Sequence, residues 1–240
     1  MSIHLVGGGW AAGEPADFYR GFLFEAAARA LLSGREVPRV GVLLVRESDG
    51  ESQASRYHDL LQAAGPCEPV ITEVTEGELF ASTALTGIDA LLIGGGHTPS
   101  YADAVAPLVD EIRLLVGDEL PYLGFSAGAV IAADAALIGG WRIGEVEVSP
   151  ERVSEDLDEL TVVEGLGLVD LTIEVHAAQE GTLTRLIAAV GAELVESGLA
   201  IDEQTALVVG GDDEVRVLGS GNVWQVTLGD EGVIVSPLGA

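Results

Sequence analysis

The chain has 240 residues, 48% of them hydrophobic, enough to bury a sizeable core, and one domain over residues 1–240 is more economical than two small ones. Its 11 basic residues, all arginine, face 39 acidic ones, and a net charge of −28 argues against nucleic acid or an anionic membrane surface as a partner. The single cysteine, Cys67, excludes an internal disulfide framework, and no Cys-His cluster with metal-ligand spacing occurs.

The amino-terminal Met1-Ser2-Ile3-His4-Leu5-Val6 has neither the basic segment nor the long apolar stretch of a signal peptide, and no run is long enough to cross a bilayer. A soluble, cytoplasmic protein is the expectation. From there, apolar strand-like runs alternate with amphipathic segments, the pattern of a mostly parallel sheet covered by helices. Ile3 to Val6 reads as the first strand and ends in Gly7-Gly8-Gly9. Residues 18–32 place Phe22, Ala26, Arg29 and Ala30 at helical spacing, closed by Ser33-Gly34. The run from Val40 to Val45 is continuously apolar, as in a strand buried on both faces, and a helix follows through Tyr57, Leu60 and Leu61. Val70 to Val74 is a weaker strand suited to a sheet edge. Ala90 to Ile93 is a stronger one that runs into Gly94-Gly95-Gly96-His97-Thr98-Pro99, where the glycines free the backbone to turn tightly or to approach a ligand. A helix from about Tyr101 to Val116 comes next.

Pro121-Tyr122-Leu123 then leads into Gly124-Phe125-Ser126-Ala127-Gly128-Ala129 and the helix-like Val130 to Ala133. This is the G-x-S-x-G pattern of a nucleophile elbow. Small neighbours let a helix pack close to the strand, so the serine is held in a strained turn at the carboxyl edge of the sheet. The helix amino terminus offers N–H groups to an oxyanion. The same residues also fit a glycine-rich turn with an incidental serine. Leu137 to Pro150 alternates like a hairpin, and the acidic 151–159 stretch reads as a solvated loop or short helix. Leu171 to Val175 is a strand delivering His176, and residues 182–195 are helical. The remainder, Leu199 to Ile201, Ala206 to Val209, Val215 to Leu218 and Val223 to Val226, reads as a meander of short antiparallel strands.

A serine hydroxyl needs a base within hydrogen-bond reach, usually an imidazole that a carboxylate orients. Of the four histidines, His4 lies inside the first strand and His58 among polar helix residues. His176 sits at a strand end, where a parallel sheet places functional side chains, and it alone follows the serine. In an α/β-hydrolase the acid lies between serine and a late histidine, an order that fits poorly here because several strands follow His176. Beyond it, Asp202-Glu203 occupies a turn between two strands. Alternation sends one carboxylate into the site and the other away, and both also suit a solvated acidic turn.

GFSAGA at Gly124 to Ala129, IGGGH at Ile93 to His97, VHAAQEGTLTRL at Val175 to Leu186 and IDEQTALVV at Ile201 to Val209 together resemble, in order and spacing, the S51 serine peptidases, the family of dipeptidase E and cyanophycinase. The resemblance spans nearly the whole chain. It implies an α/β fold with a mostly parallel sheet flanked by helices, like class I glutamine amidotransferases and flavodoxin, with a carboxyl-terminal antiparallel β extension. It implies Ser126 as nucleophile, His176 as base and Glu203 as the acid that orients it, with the N–H groups of Gly96 and Ala127 as the oxyanion hole.

The chain departs from dipeptidase E in having His97 after the glycines, and Trp141 where that enzyme holds a substrate amino group with an aspartate. It is similar to cyanophycinase in its carboxyl half, but Glu174-Val175 replaces an Asp-Gln pair. Of a row of arginines only Arg185 remains, with Glu180 and Thr182 at the other two positions. His97, Thr98 and Gln179 are each read as substrate contacts or as loop structure, and Arg185 as a substrate contact or as the partner of a local acid. The resemblance implies a cofactor-free and metal-free serine peptidase acting on short or unusual peptides, Asp-containing or isopeptide-linked, with a homodimer compatible. An esterase or amidase on the same elbow and a catalytically silent binding protein of the same fold stand as alternatives.

Overall fold

The computed structural model describes residues 1–10, 17–48, 50–211 and 214–239. In chain order, β1 (Ser2–Val6), α1 (Asp17–Leu32), β2 (Arg39–Arg46), α2 (Ala54–Ala64), β3 (Glu68–Thr75) and β4 (Ala90–Ile93) come first. They are followed by α3 (Thr98–Val105), α4 (Val109–Gly117), β5 (Tyr122–Phe125) and the one-turn α5 (Ala127–Val130). Next are β6 (Ala135–Gly139), the small hairpin of β7 (Arg142–Ile143) and β8 (Val146–Glu147), β9 (Thr161–Glu164) and β10 (Thr172–Val175). The chain continues through α6 (Ala177–Glu180), α7 (Leu183–Gly191) and β11 (Ser197–Ile201). It closes with β12 (Thr205–Gly210), β13 (Val215–Gly219), β14 (Val223–Gly229) and β15 (Gly232–Leu238).

The central sheet has the order β13-β12-β1-β5-β4-β2-β3. Every pair from β1 to β3 is parallel, and β12 and β13 continue the sheet antiparallel to β1. The weak strand β3 is an edge, as its composition suggests. Along β2, Val42 and Leu44 pack toward Phe22, Tyr57 and Leu61 of α1 and α2, while Leu43 faces the other way toward Tyr101 and Ile112 of α3 and α4. Both faces are covered, which is why this strand reads as an unbroken apolar run. Each such fully buried leucine contributes about 2 kcal/mol of transfer free energy. His4 is structural: it is 2% exposed, lies edge-on to Phe22 and has Nε2 3.6 Å from Glu25. Burial alone would raise the Glu25 carboxyl, but the nearby His4 imidazole and the Ser2 N–H, which donates to Oε2 at 2.6 Å, outweigh it and hold the group at about 2.

Three expectations change. The helix expected from Tyr101 to Val116 is two helices: α3 begins at Thr98 with Pro99 in its first turn, and the chain breaks at Ala106-Pro107-Leu108 because Pro107 has no N–H to donate. The elbow helix is only the four residues of α5, too short to sum a large macrodipole, and the chain turns at once toward β6. The terminal strands form no single meander. β12 and β13 join the central sheet, whereas β14 and β15 extend a second sheet of order β10-β11-β14-β15. In that sheet β10 and β11 are parallel and the other pairs antiparallel. Residues 202–204 are therefore the crossing from one sheet to the other. No helix among the described residues is long and apolar enough to span a membrane.

Candidate active site

The elbow is built by close approach. A Cβ on Gly124 would lie 2.4 Å from the carbonyl oxygen of Gly128, so the two glycines of the motif let α5 fold back onto β5. The Tyr122 hydroxyl donates to that same carbonyl at 2.7 Å. Between them Ser126 adopts φ +52° and ψ −109°, a sparsely populated conformation for a non-glycine residue. Its Oγ is 2.8 Å from Nε2 of His176. His176 ends β10 in a left-handed conformation, φ +56° and ψ 31°, which turns its ring out of the strand. Its Nδ1 lies 2.7 Å from Oε1 of Glu203. The His176 and Glu203 side chains are 26% and 25% exposed, accessible from one side yet held on the others.

What brings three distant segments together is the end of β1. Ser126 N–H donates to Val6 C=O, His176 N–H to Gly7 C=O and Gln204 N–H to Gly8 C=O, at 2.9, 3.0 and 2.8 Å. Successive carbonyls of one strand end thus fix the elbow, the histidine and the acidic turn. Gly8 and Gly9 have φ of +87° and +76°. A Cβ on Gly8 would lie 2.2 Å from Cε1 of His176, and one on Gly9 2.6 Å from Oε2 of Glu203. The glycine triplet in the sequence was the signal for this role, which only the spatial neighbours reveal. Gly8→Ala is expected to displace the imidazole by about 1 Å and lower kcat about 10²-fold, with the chain still folded, measured by steady-state kinetics beside thermal unfolding.

The adjacent carboxylates separate. Asp202 is 3% exposed and accepts from the N–H groups of Ala178 and Asn222 and from Trp224 Nε1, at 3.1, 2.9 and 3.0 Å. It ties α6 and β14 to the turn. Glu203 alone reaches the histidine, and its own N–H donates to Gln179 Oε1 at 2.9 Å, so Gln179 supports the turn that presents the acid.

Among the glycines after β4, Gly95 packs against Ser126: a Cβ there would be 2.8 Å from Ser126 Cβ. Its N–H donates to the buried Tyr57 hydroxyl at 2.8 Å, and its C=O accepts from Tyr101 at 3.2 Å. Gly95 is thus held through both its N–H and its C=O by the two tyrosines. The Ala127 N–H, in the first turn of α5, has no intrahelical acceptor. Tyr57 and Tyr101 were unmarked in the sequence because they sit at core spacing on their helices.

Two expected substrate contacts are engaged within the protein. His97 has Nδ1 2.7 Å from Ser100 Oγ and Nε2 3.1 Å from the Glu155 carbonyl oxygen. Thr98 is 5% exposed and its N–H donates to Glu155 Oε2 at 2.9 Å. Glu155, expected in a solvated acidic loop, is instead packed against α3, and burial raises its carboxyl despite the Thr98 N–H.

Of the two readings of Arg185, the structure shows the partner of a local acid. Arg185 is 4% exposed and forks onto the fully buried Glu174, with Nε to Oε2 at 2.7 Å and Nη2 to Oε1 at 2.8 Å. Nη1 donates to the carbonyls of Val153 and Gly140 at 2.7 and 3.4 Å. Burial opposes the guanidinium charge, and Glu174 outweighs it. The pair lies between β10 and the 140–155 segment, so it joins the strand that carries His176 to the wall beside His97. Arg185→Gln leaves a carboxylate buried without its cation and is expected to cost about 3–5 kcal/mol, read from denaturant unfolding.

The sequence of Peptidase family S51 matches residues 48–217. A cyanophycinase of Synechococcus elongatus is 27% identical over 194 residues, covering 77% of this chain and 57% of the relative. One of Trichormus variabilis is 29% identical over 176 residues, 70% of this chain and 56% of the relative. The chain thus spans little more than half the length of these curated relatives. The subunit PurQ of phosphoribosylformylglycinamidine synthase from Methanothermobacter thermautotrophicus is 34% identical over 110 residues, 42% of this chain and 45% of that one. Among solved structures, a Listeria monocytogenes EGD-e protein assigned as a peptidase E aligns with TM-score 0.54 and 16% identity, covering 92% of this chain and 98% of that one. That likeness carries the fold, and the family match, running over well more than half of the 240 residues through the elbow, the histidine and the acidic turn, carries the kinship: this chain belongs to peptidase family S51.

Proposed function

We propose that the chain is a serine peptidase that cleaves short or unusual peptides, Asp-containing or isopeptide-linked, through an acyl-enzyme on Ser126. The observation that carries this reading is the unbroken line from Ser126 Oγ to His176 Nε2 at 2.8 Å and from His176 Nδ1 to Glu203 Oε1 at 2.7 Å. Ser126 attacks the scissile carbonyl as His176 takes its proton. The oxyanion is received by the N–H groups of Gly96 and Ala127. His176 then returns the proton to the departing amine, and a water activated by the same imidazole releases the acyl group. Glu203 keeps Nδ1 protonated, so that Nε2 faces the hydroxyl as an acceptor, and stabilises the imidazolium that forms.

The substrate class rests on the family and on relatives named cyanophycinase and peptidase E. Because Arg185 is committed to Glu174, a substrate carboxylate is not held there, and the specificity differs from that of a relative with further arginines after its histidine. The test is a panel of α-aspartyl dipeptides, isoaspartyl dipeptides and simple esters, alongside a fluorophosphonate probe. Stoichiometric labelling of Ser126 with turnover of an aspartyl peptide supports the reading. Turnover of esters alone makes the protein an esterase, and no labelling at all makes it a silent binding protein.

A further inference from the structure

Tyr57 on α2 and Tyr101 on α3 are 0% and 1% exposed. Core packing accounts for their rings but not for their hydroxyls, since phenylalanine fills the same space without burying a polar group. Both hydroxyls end on one residue. The Tyr57 hydroxyl accepts from the Gly95 N–H at 2.8 Å, and the Tyr101 hydroxyl donates to the Gly95 carbonyl at 3.2 Å. The two helices lie on opposite faces of the central sheet, so Gly95 is reached from both sides. Burial pushes both phenols well above their ordinary range, and each keeps its proton.

Peptide planarity says what these hydroxyls fix. An N–H shares one rigid plane with the carbonyl of the preceding residue and, in a trans peptide, points the opposite way. The plane from Gly94 to Gly95 is held at both ends: its carbonyl accepts from the Gly128 N–H at 3.0 Å, and its N–H donates to Tyr57. The plane from Gly95 to Gly96 has its carbonyl on Tyr101, which turns the N–H of the exposed Gly96 away from that ring. Glycine on both sides of this plane gives little steric resistance to its rotation, so the direction has to come from a hydrogen bond. Because a Cβ on Gly95 would lie 2.8 Å from Ser126 Cβ, a direction set at Gly95 is set relative to the serine.

We propose that Tyr101 and Tyr57 are positioning residues for the oxyanion amide: Tyr101 holds the carbonyl end of the plane whose other end is the Gly96 N–H, and Tyr57 with Gly128 holds the plane before it. The role rests on the hydrolase reading above, in which the Gly96 N–H receives the oxyanion. Without the Tyr101 hydroxyl the plane turns, and the N–H spends part of its time directed elsewhere. The loss falls on the transition state, where the oxygen carries its charge, and not on the bound substrate, so kcat drops while KM holds.

The test uses Tyr101→Phe and Tyr57→Phe, each keeping its ring, in the full-length protein below its unfolding temperature. In each, kcat should fall about tenfold or more with KM within about twofold, and the rate at which a fluorophosphonate labels Ser126 should fall by a similar factor, because phosphonylation uses the same oxyanion site. Tyrosines that only fill the core would lower the unfolding temperature and leave both rates alone. Rates within about twofold of wild type in both variants, or a KM that rises as much as kcat falls, overturn the proposal. Hydrogen exchange on wild-type protein labelled with 15N-glycine depends on neither variant nor on turnover. The Gly95 amide should exchange about 100-fold or more slowly than an unstructured glycine amide, and exchange at the unstructured rate overturns the proposal. If wild-type Ser126 takes no probe, the hydrolase reading falls; a Gly95 amide protected in wild type and released in Tyr57→Phe then still supports the hold on the loop, and an unprotected one sinks it.

Discussion

Replacing Ser126 by alanine should abolish fluorophosphonate labelling and lower kcat on any substrate by about 10⁴- to 10⁶-fold, with thermal stability unchanged. The size follows from the geometry: the hydroxyl is the one group of the elbow that reaches the imidazole, at 2.8 Å, and no other serine among the described residues hydrogen-bonds that nitrogen. Residual activity would come from the Gly96 and Ala127 amides, which still bind the oxyanion of a water-attacked carbonyl. Stability is preserved because alanine has the same backbone restrictions as serine at φ +52° and Ser126 Oγ makes no other side-chain hydrogen bond within the described residues. Active-site titration and thermal unfolding of the same preparation check both halves. Labelling that persisted in Ser126→Ala would move the nucleophile elsewhere.

The second large effect separates two neighbouring carboxylates. Glu203→Gln should lower kcat by about 10³- to 10⁴-fold while the protein unfolds at its original temperature. An amide N–H₂ turned toward Nδ1 makes that nitrogen an acceptor, so the proton moves to Nε2, the atom that must receive the serine proton. Asp202→Ala should do the reverse. It removes the acceptor from three N–H groups, of Ala178, Asn222 and Trp224, and should cost about 3 kcal/mol or more of stability. Glu203 would still reach the histidine, so kcat measured below the unfolding temperature should fall far less than in Glu203→Gln. An unchanged kcat in Glu203→Gln beside a large loss in Asp202→Ala would mean that Asp202, not Glu203, orients the imidazole.

Much of this site was legible before any coordinates. The strand-helix alternation, the elbow at Ser126 and the strand end at His176 are local patterns, and each is found where the residues place it. The breaks came where a distant neighbour overrode the local pattern. Glu155 reads as a solvated acid because its flanks are acidic, yet α3 supplies it with an N–H and covers it. Arg185 reads equally as a substrate contact or as the partner of a local acid, and only the register of β10, which brings Glu174 beneath it, names the acid. The terminal strands read as one meander because each hairpin looks alike, yet crossings at residues 202–204 and 220–222 divide them between two sheets.

By itself the sequence determined what neighbours along the chain can determine: which runs are strands, which stretch makes an elbow, and that a serine, an imidazole and a pair of carboxylates occur in that order. The tertiary structure alone decided which carboxylate meets the imidazole, since that depends on how the chain crosses from β11 to β12. It also decided that Val6, Gly7 and Gly8 offer successive carbonyls to three separate segments. The physical reason is that periodicity is written in adjacent residues, whereas a hydrogen bond between residues 7 and 176, or between 97 and 155, exists only once strand order and register have been set.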